Sequence, residues 1–225
     1  TMGHVTAGTA LLAMLSGVAW TQPVEQTQSP PAPSQFAVRF ESGAIVSLRP
    51  QQGSPDTEYV QSGRRIWDVA VRYRRPAGDW QSADTQSMTG TSSSSGEGED
   101  HKAVYQVQDG QSMCLEIQTR FSVLKTGIDW TIILSNATDR SLEIGDLAVP
   151  LPVGRSSRQG PPILKHSLVS GHGSFVYWMR GDSVGPCLVL TPSGDTSFEY
   201  WDAERMGGYR VYIHSAAAGA DARSR

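Results

Sequence analysis

Residues 113–121 read MCLEIQTRF, and this stretch decides the fold class. Two sets of residues alternate along it. The first set is Met113, Leu115, Ile117 and Thr119, and the second is Cys114, Glu116, Gln118 and Arg120. Successive side chains of a β-strand point to opposite faces of the sheet, so this period of two predicts a strand. Residues 128–134, IDWTIIL, repeat the pattern a short turn later.

Similar β-rich runs recur along most of the chain, with turn signals such as QDG at 108–110 and SGD at 193–195 between them. Outside the N-terminus no window has an apolar stripe at helical spacing. The pattern predicts an all-β fold, a large antiparallel β-sandwich of two sheets. The runs are residues 36–40, 44–48, 66–73, 103–107, 113–121, 128–134, 142–149, 164–169, 174–179, 186–190, 196–200 and 209–214.

Composition narrows the function classes. The 225 residues carry 19 Lys plus Arg against 22 Asp plus Glu, a net charge of -3. A near-neutral chain argues against nucleic acid as a partner, because phosphate backbones are bound by basic surfaces. The 23 glycines and 13 prolines favour a fold rich in turns.

The two ends differ from the middle. Residues 1–20 contain a short apolar run followed by small residues, which predicts a signal peptide; an uncleaved apolar helix or anchor is the alternative. Residues 21–35 are a Pro/Gln-rich linker, so the N-terminal segment is expected to be disordered. The sandwich is predicted over 36–215, with a flexible loop at 88–101, and residues 216–225 have the composition of a truncated tail. A cleaved signal implies a secreted or periplasmic protein without a membrane segment.

Two cysteines and one sequon carry weaker predictions. Cys114 and Cys187 could form a disulfide in an exported protein, or remain two buried thiols. Asn136 begins an Asn-Ala-Thr sequon, which is a glycosylation acceptor in some hosts and a good turn in any.

No established catalytic motif occurs in the chain. It has no phosphate-binding Gly-rich loop, no nucleophile elbow, no HExxH and no Cys/His cluster, so no cofactor and no metal are expected. The densest polar and aromatic stretch is instead a glycan-site candidate, since aromatic rings stack on sugars while Arg, Asp and His bond their hydroxyls. The alternative is a strand pair that packs its aromatics into the core. The candidate residues are His166, His172, Trp178, Arg180 and Asp182.

A second cluster combines aromatic and acidic residues. Glu199 and Asp202, with Asp182 or Asp195, could pair as the carboxylates of a glycoside hydrolase. Acidic residues at strand ends are more often solvated, so catalysis by this chain alone is not the favoured interpretation.

Several motifs together resemble the DUF5695 family of long secreted proteins from bacteria and fungi. The resemblance covers roughly residues 36–218, and its best motif is N-x-T-x-R-x-L-E-I-G-D-L-A. The motifs are FESGAIVSL at 40–48, DV at 68–69 with VRY at 71–73, SNATDRSLEIGDLAVPLP at 135–152, residues 166–178, and YIHSAA at 212–217.

The resemblance implies a galactose-mutarotase-like supersandwich that precedes an (α/α)-barrel resembling glycoside hydrolases. The barrel would carry the catalytic acids, and no catalytic residue transfers to this chain. We therefore expect an accessory domain that supports the missing C-terminal catalytic domain and contacts an oligo- or polysaccharide. The alternatives are a stand-alone carbohydrate-binding module, or an aldose-epimerase-like enzyme with His172 or His166 as acid and Glu199 as base.

Overall fold

A computed structural model describes eleven ranges of the chain. They are residues 4–15, 34–52, 57–66, 68–95, 100–110, 112–152, 165–169, 175–179, 187–194, 196–203 and 209–215; for 4–15, 94–95, 165–169 and 203 the backbone alone is described. Within these ranges the chain is almost entirely β-structure, as the sequence predicts, and it contains no α-helix.

In the described part of the chain the elements are strands joined by turns, with one short 3-10 helix at Thr85–Ser87. The strands are β1 His4–Leu15, β2 Phe36–Glu41, β3 Ala44–Pro50, β4 Ala70–Arg74, β5 Gln81–Asp84, β6 Thr91–Ser95, β7 Asp100–Asp109, β8 Ser112–Val123, β9 Gly127–Asn136, β10 Glu143–Leu151, β11 Lys165–Val169, β12 Phe175–Met179, β13 Cys187–Pro192, β14 Tyr200–Ala203 and β15 Tyr209–Ser215.

All strand pairs among the described residues are antiparallel, and they form two large sheets and a hairpin. The eight-stranded sheet has the order β11-β12-β13-β1-β9-β8-β7-β6, and the five-stranded sheet has the order β14-β15-β10-β4-β5. The hairpin is β2-β3. Its β3 strand is joined to the segment before β4 by the bridge between Ile45 and Ile66.

One hydrophobic core joins the two sheets and the hairpin. Trp130 and Leu188 enter it from the eight-stranded sheet, Leu147 and Val211 from the five-stranded sheet, and Leu48 from the hairpin. Each of these side chains is at most 3% exposed. Burial of apolar surface between two layers is the main stabilising term of such a fold, and the predicted all-β sandwich is confirmed.

The decisive alternation along β8 holds over most of the strand and breaks at its start. Leu115 and Ile117 are buried as predicted, whereas Met113 is 38% exposed and Cys114 is buried in its place. The register between β7 and β8 shifts between Val107 and Gln108. A β-bulge of this kind reverses which residues face the core. At the start of β8 the side chain of Cys114 therefore faces the core, and that of Met113 faces outward.

The apolar run near the N-terminus is a strand in the structure. β1 lies between β9 and β13 and pairs with both, for example through Leu12 with Ile128 on one side and with Leu190 on the other. Cleavage of a signal peptide remains a prediction, and residues 21–33 of the predicted linker 21–35 and the tail at 216–225 lie outside the described residues. A search of the described residues finds no helix that is long and apolar enough to span a membrane.

Two further strands among the described residues, β5 and β6, lie where the sequence pattern predicts none. Within the predicted loop 88–101, Thr91–Ser95 forms β6, an edge strand that pairs with the start of β7. Gln81–Asp84 forms β5 at the edge of the five-stranded sheet. Both segments are rich in polar residues, because an edge strand needs little apolar surface to be held by one neighbour.

Candidate functional site

The outer face of the five-stranded sheet carries a small cleft. Leu147 and Val149 of β10 point into the core, so Asp146 and Ala148 are on the opposite face. The cleft encloses about 180 Å³, which suits one sugar-sized group better than a drug-sized ligand. Its lining residues are Ala70, Val71, Arg72, Ser82, Ala83, Asp84, Asp146, Ala148, Arg210 and Tyr212. We call this the sheet-face cleft.

The pairing of strands explains why the outer face of the sheet has a depression at this point. Ala70 of β4 lies opposite Ala148 of β10, and Ala148 lies opposite Tyr212 of β15. Two adjacent alanine methyl groups leave a depression, which the longer side chains around them surround. The neighbouring row places Arg72 opposite Asp146, so a charged pair forms one wall of the depression.

The walls of the cleft combine buried charge with hydrogen-bonding groups. Asp146 is only 5% exposed, and its Oδ2 lies 3.6 Å from Nη1 of Arg72. On the other side the hydroxyl of Tyr212 donates to Oδ2 of Asp202 over 3.3 Å. Burial and the nearby charge of Asp202 raise the pKa of Tyr212, so this hydroxyl stays protonated at neutral pH; because its one proton is directed to Asp202, its oxygen can serve a ligand as an acceptor.

An aromatic platform adjoins the cleft. The guanidinium carbon of Arg74 lies 4.3 Å from the centre of the Trp80 ring, and that of Arg72 lies 5.7 Å away. Nε of Arg74 is in turn 2.6 Å from Oε2 of Glu143. Because Arg72 contacts both the indole and Asp146, the platform and the cleft form one continuous polar and aromatic surface.

This combination can bind a sugar, and the acidic residues that the sequence suggested for catalysis have other partners. A guanidinium, carboxylates and hydroxyls around a depression satisfy the alternating donors and acceptors of a pyranose. Asp202 hydrogen bonds to Tyr212, and Glu199 accepts a bond from the amide of Ser215 at 2.9 Å. Oε2 of Glu199 is also 3.4 Å from Nδ1 of His214, so the acidic residue proposed as an epimerase base is engaged in holding β15.

The glycan-site candidate from sequence is only partly described. Trp178 is 0% exposed and belongs to the core, so its indole is covered by protein and is not offered to a ligand. His166 lies on β11 opposite Trp178, and its side chain is outside the described residues. His172, Arg180 and Asp182 also lie outside them, and their predicted role stays a prediction. The correction at Trp178 has a simple cause, since alternation on β12 directs Val176 and Trp178 inward together.

The predicted disulfide is not formed. Cys114 and Cys187 are both free thiols. Their strands, β8 and β13, are separated by β9 and β1, which at about 4.8 Å per strand places them roughly 14 Å apart across the sheet. A disulfide requires Cα atoms within about 7 Å.

Asn136 lies in the predicted turn. Its side-chain Oδ1 accepts hydrogen bonds from the backbone amide and the hydroxyl of Thr138, at 2.9 and 2.8 Å. Its amide nitrogen donates to the carbonyl of Arg140 at 2.7 Å. The exposed Asx turn is therefore confirmed, while glycosylation at this position stays a prediction.

The sheet-face cleft is not predicted from the sequence, although one signal in the sequence points to it. Arg72 and Asp146 each lie two residues from an alanine, Ala70 or Ala148, on a strand whose other face is apolar. Small and charged residues sharing the outer face of two strands predict a polar depression, but only the register shows that the two strands are neighbours. No cluster of three or more potential metal ligands occurs among the described residues.

Comparisons with known proteins give no relative from which a function could be transferred. No protein-family model, no curated protein and no solved structure matches the chain.

Proposed function

We propose that this chain is a glycan-contacting β-sandwich domain, accessory to a secreted glycoside-hydrolase-like protein. The sheet-face cleft is the observation that carries the proposal. It brings Arg72, Asp146 and Tyr212 around a floor of two alanines and adjoins the Trp80 platform.

The shape and the charge of the cleft favour a neutral sugar at this position. Arg72 and Arg210 are balanced by Asp84 and Asp146 among the lining residues, so the cleft offers donors and acceptors without an excess of either charge. Neutral sugars are recognised by such balanced sets of hydrogen bonds. The floor and walls belong to paired strands, so the polar groups are held in place before a ligand arrives.

The accessory role is a separate part of the proposal. It is supported by the resemblance of the sequence to long secreted proteins with a catalytic barrel. A helix-rich continuation in the parent reading frame would support it, and a complete natural protein of this length with glycan affinity would instead favour the stand-alone module.

A glycan array followed by calorimetry tests the binding function. The full chain is screened first, and the best neutral ligand is then titrated against Ala70→Leu, which fills the floor of the cleft. Arg72→Gln, which removes the charge of one wall, forms a second variant. Each is expected to weaken binding at least roughly tenfold, since Arg72→Gln removes one charged hydrogen bond and Ala70→Leu occupies the space of the ligand.

The matched control is Arg140→Gln, an exposed arginine in the turn after β9 that does not line the cleft. Thermal unfolding checks that each variant is folded. No binding by any neutral glycan, or equal affinity of Ala70→Leu and the parent chain, would refute the proposal.

A further inference from the structure

A second cleft lies beside the β2–β3 turn, between this turn and the segment before β4. It encloses about 420 Å³ and is lined by Arg39, Glu41, Ser42, Val46, Gly63, Arg64, Arg65 and Gln86. We call it the arginine cleft. None of these residues lines the sheet-face cleft, so the two are independent sites.

Arg65 is held rigidly at the arginine cleft. Its Nε donates to Oδ2 of Asp68 and its Nη2 lies against Oδ1 of the same carboxylate, both at 2.8 Å. Nη2 also donates to the carbonyl of Thr85 over 2.7 Å. Asp68 is 2% exposed and accepts a further bond from the Thr85 hydroxyl. This two-point pairing fixes the plane of the guanidinium.

The same bonds leave one end of the guanidinium for a ligand. The Arg65 side chain is 16% exposed, and among the described residues no hydrogen bond involves its Nη1, which carries two of its five N–H groups. A fixed, largely buried donor pair at the wall of a cavity loses little entropy when it binds an acceptor.

The opposite wall is also fixed before a ligand binds. The Tyr105 hydroxyl donates to the carbonyl of Ser42 over 2.7 Å. Gly43 has a φ of +79°, and a Cβ at this position would overlap that of Ala103. The turn therefore lies directly on β7, and its close approach requires glycine.

The charged residues that line the arginine cleft are mostly positive, whereas the chain as a whole is slightly negative. Three arginines and one glutamate line it, whereas the whole chain has a net charge of -3. Asp68 behind Arg65 offsets one positive charge, and Glu41 is the acidic residue among those that line the cleft. Arg39 is 67% exposed and 3.7 Å from Glu41, a loose surface pair that contributes little and can readily exchange for a ligand.

A neighbouring cleft extends this surface along the turn. It encloses about 530 Å³ and shares Arg39, Glu41 and Ser42 with the arginine cleft. It adds Lys102, two serines and the stacked rings of Phe40 and His101, whose centres are 3.7 Å apart. Together the two clefts suit a short chain of linked polar units with a negative charge.

We propose that the arginine cleft binds the carboxylate of an acidic glycan, with Nη1 of Arg65 as the main donor and Arg39 at the rim. This rests on the proposed function, because it takes the ligand to be a glycan, and it deepens that function by adding a site for a uronic acid unit. The carboxylate takes the place of Glu41 beside Arg39 and adds charged hydrogen bonds to Arg65.

Calorimetry with trigalacturonic acid and its methyl ester tests the proposal on the full chain. The ester keeps the sugar rings and removes the charge, so the acid is expected to bind at least roughly tenfold more tightly, as one charged hydrogen bond predicts. Arg65→Lys keeps a cation beside Asp68 but removes Nη1, and it should abolish this preference. Arg39→Gln alters only an exposed side chain and should reduce the preference several-fold, while the control Arg140→Gln leaves it unchanged.

The outcomes separate this proposal from the proposed function. Equal binding of acid and ester, or a preference that survives both Arg65→Lys and Arg39→Gln, overturns it. Displacement of the acid by an equal concentration of inorganic sulfate also overturns it, since the cleft would then bind any small anion. If the acid binds through these arginines while no neutral glycan binds and Ala70→Leu has no effect, the arginine cleft stands and the sheet-face cleft fails.

Discussion

Gly145 lies directly beneath the indole of Trp80. A Cβ placed on Gly145 would be 2.6 Å from Cζ3 and 2.7 Å from Cη2 of Trp80. The register between β4 and β10 shifts between Ile144 and Asp146, so Gly145 occupies the irregular position. The bulge and the missing side chain together let the indole lie against the strand, between the arginines of the platform.

Gly145→Ala should therefore displace Trp80. The new methyl group cannot be accommodated while the ring keeps its place, and overpacking of this kind costs about 1–3 kcal/mol. Thermal unfolding should give a lower midpoint, and the tryptophan emission should shift to the red as the indole becomes more exposed. In the double variant Trp80→Ala, Gly145→Ala the added methyl should cost much less than in the parent. Additive effects of the two substitutions would contradict direct contact.

Glu58 ties β3 to the segment that follows it. Its Oε1 accepts bonds from the amides of Leu48 and Val60, at 2.9 and 3.0 Å, and its Oε2 accepts one from the Ser47 hydroxyl at 2.6 Å. Burial acts to raise the pKa of Glu58, but these bonds and that from Arg49 outweigh it, so the pKa lies below the usual 4.5.

This lowered pKa predicts a loss of stability in acid. An ionised group with a depressed pKa in the folded state stabilises the fold above its unfolded pKa, near 4.5, and that contribution disappears as the pH falls through the lower, folded value. Glu58→Gln should cost about 1–3 kcal/mol at pH 7 and should flatten the acid limb of a denaturant-unfolding profile below about pH 5. The exposed Glu41→Gln serves as the control, and an acid limb that is unchanged in Glu58→Gln would contradict the assignment.

Thr85 completes the buried network around Asp68. Its hydroxyl accepts from the amide of Val69 and donates to Oδ1 of Asp68, both at 2.9 Å, and the residue is 1% exposed. Burial raises the pKa of Asp68 despite its pairing with Arg65.

Thr85→Val keeps the shape of the side chain and removes both hydrogen bonds, so it should destabilise the fold by about 1–3 kcal/mol. Thr85→Ser restores the hydroxyl and should recover most of this loss in urea unfolding, and equal losses in the two variants would argue against the hydrogen bonds.

The separation of the two cysteines predicts how they react. Unfolding in the absence of reductant should expose two titratable thiols per chain, and addition of a reductant should not shift the unfolding midpoint. In the folded protein Cys114 is 1% exposed and should be protected, whereas half-buried Cys187 should react slowly, because burial raises its pKa and lowers its thiolate fraction. Fewer than two thiols after unfolding would indicate a covalent link that the structure does not contain.

The sequence predicts the class of fold well because alternation is a local signal. Val71 and Tyr73 are buried and Arg72 and Arg74 are not, as the period of two along β4 requires. Trp178 shows the limit of the same signal. Aromatic and charged residues close together in sequence suggested a binding site, but neighbours in a strand point to opposite faces, and only the packing of sheets shows which face is covered.

Long-range register explains most of what the sequence could not show. The sheet-face cleft depends on β4 and β10 being neighbours in the sheet, although β5 to β9 lie between them in the sequence. The arginine cleft depends on a turn at Gly43 that contacts β7 far along the chain. Neither contact has a local pattern. The apolar run at the N-terminus is ambiguous for another reason, since one short apolar stretch satisfies the pattern of a signal peptide and that of a buried strand.

The position of β1 leads to a direct test of this ambiguity. β1 lies between β9 and β13, where Ala10 pairs with Trp130 on one side and with Pro192 on the other. A chain that begins at Ser34 would leave the facing edges of β9 and β13 without a partner, and each backbone hydrogen bond lost contributes about 1 kcal/mol.

We expect this shortened chain to be several kcal/mol less stable in urea unfolding. A synthetic peptide of residues 4–15 added in trans should restore part of the loss. A chain shortened only by residues 216–225 is the control. An undiminished unfolding free energy in the chain from Ser34 would mean that β9 and β13 do not need β1, and the interpretation of residues 1–20 as a cleaved signal would then be the stronger one.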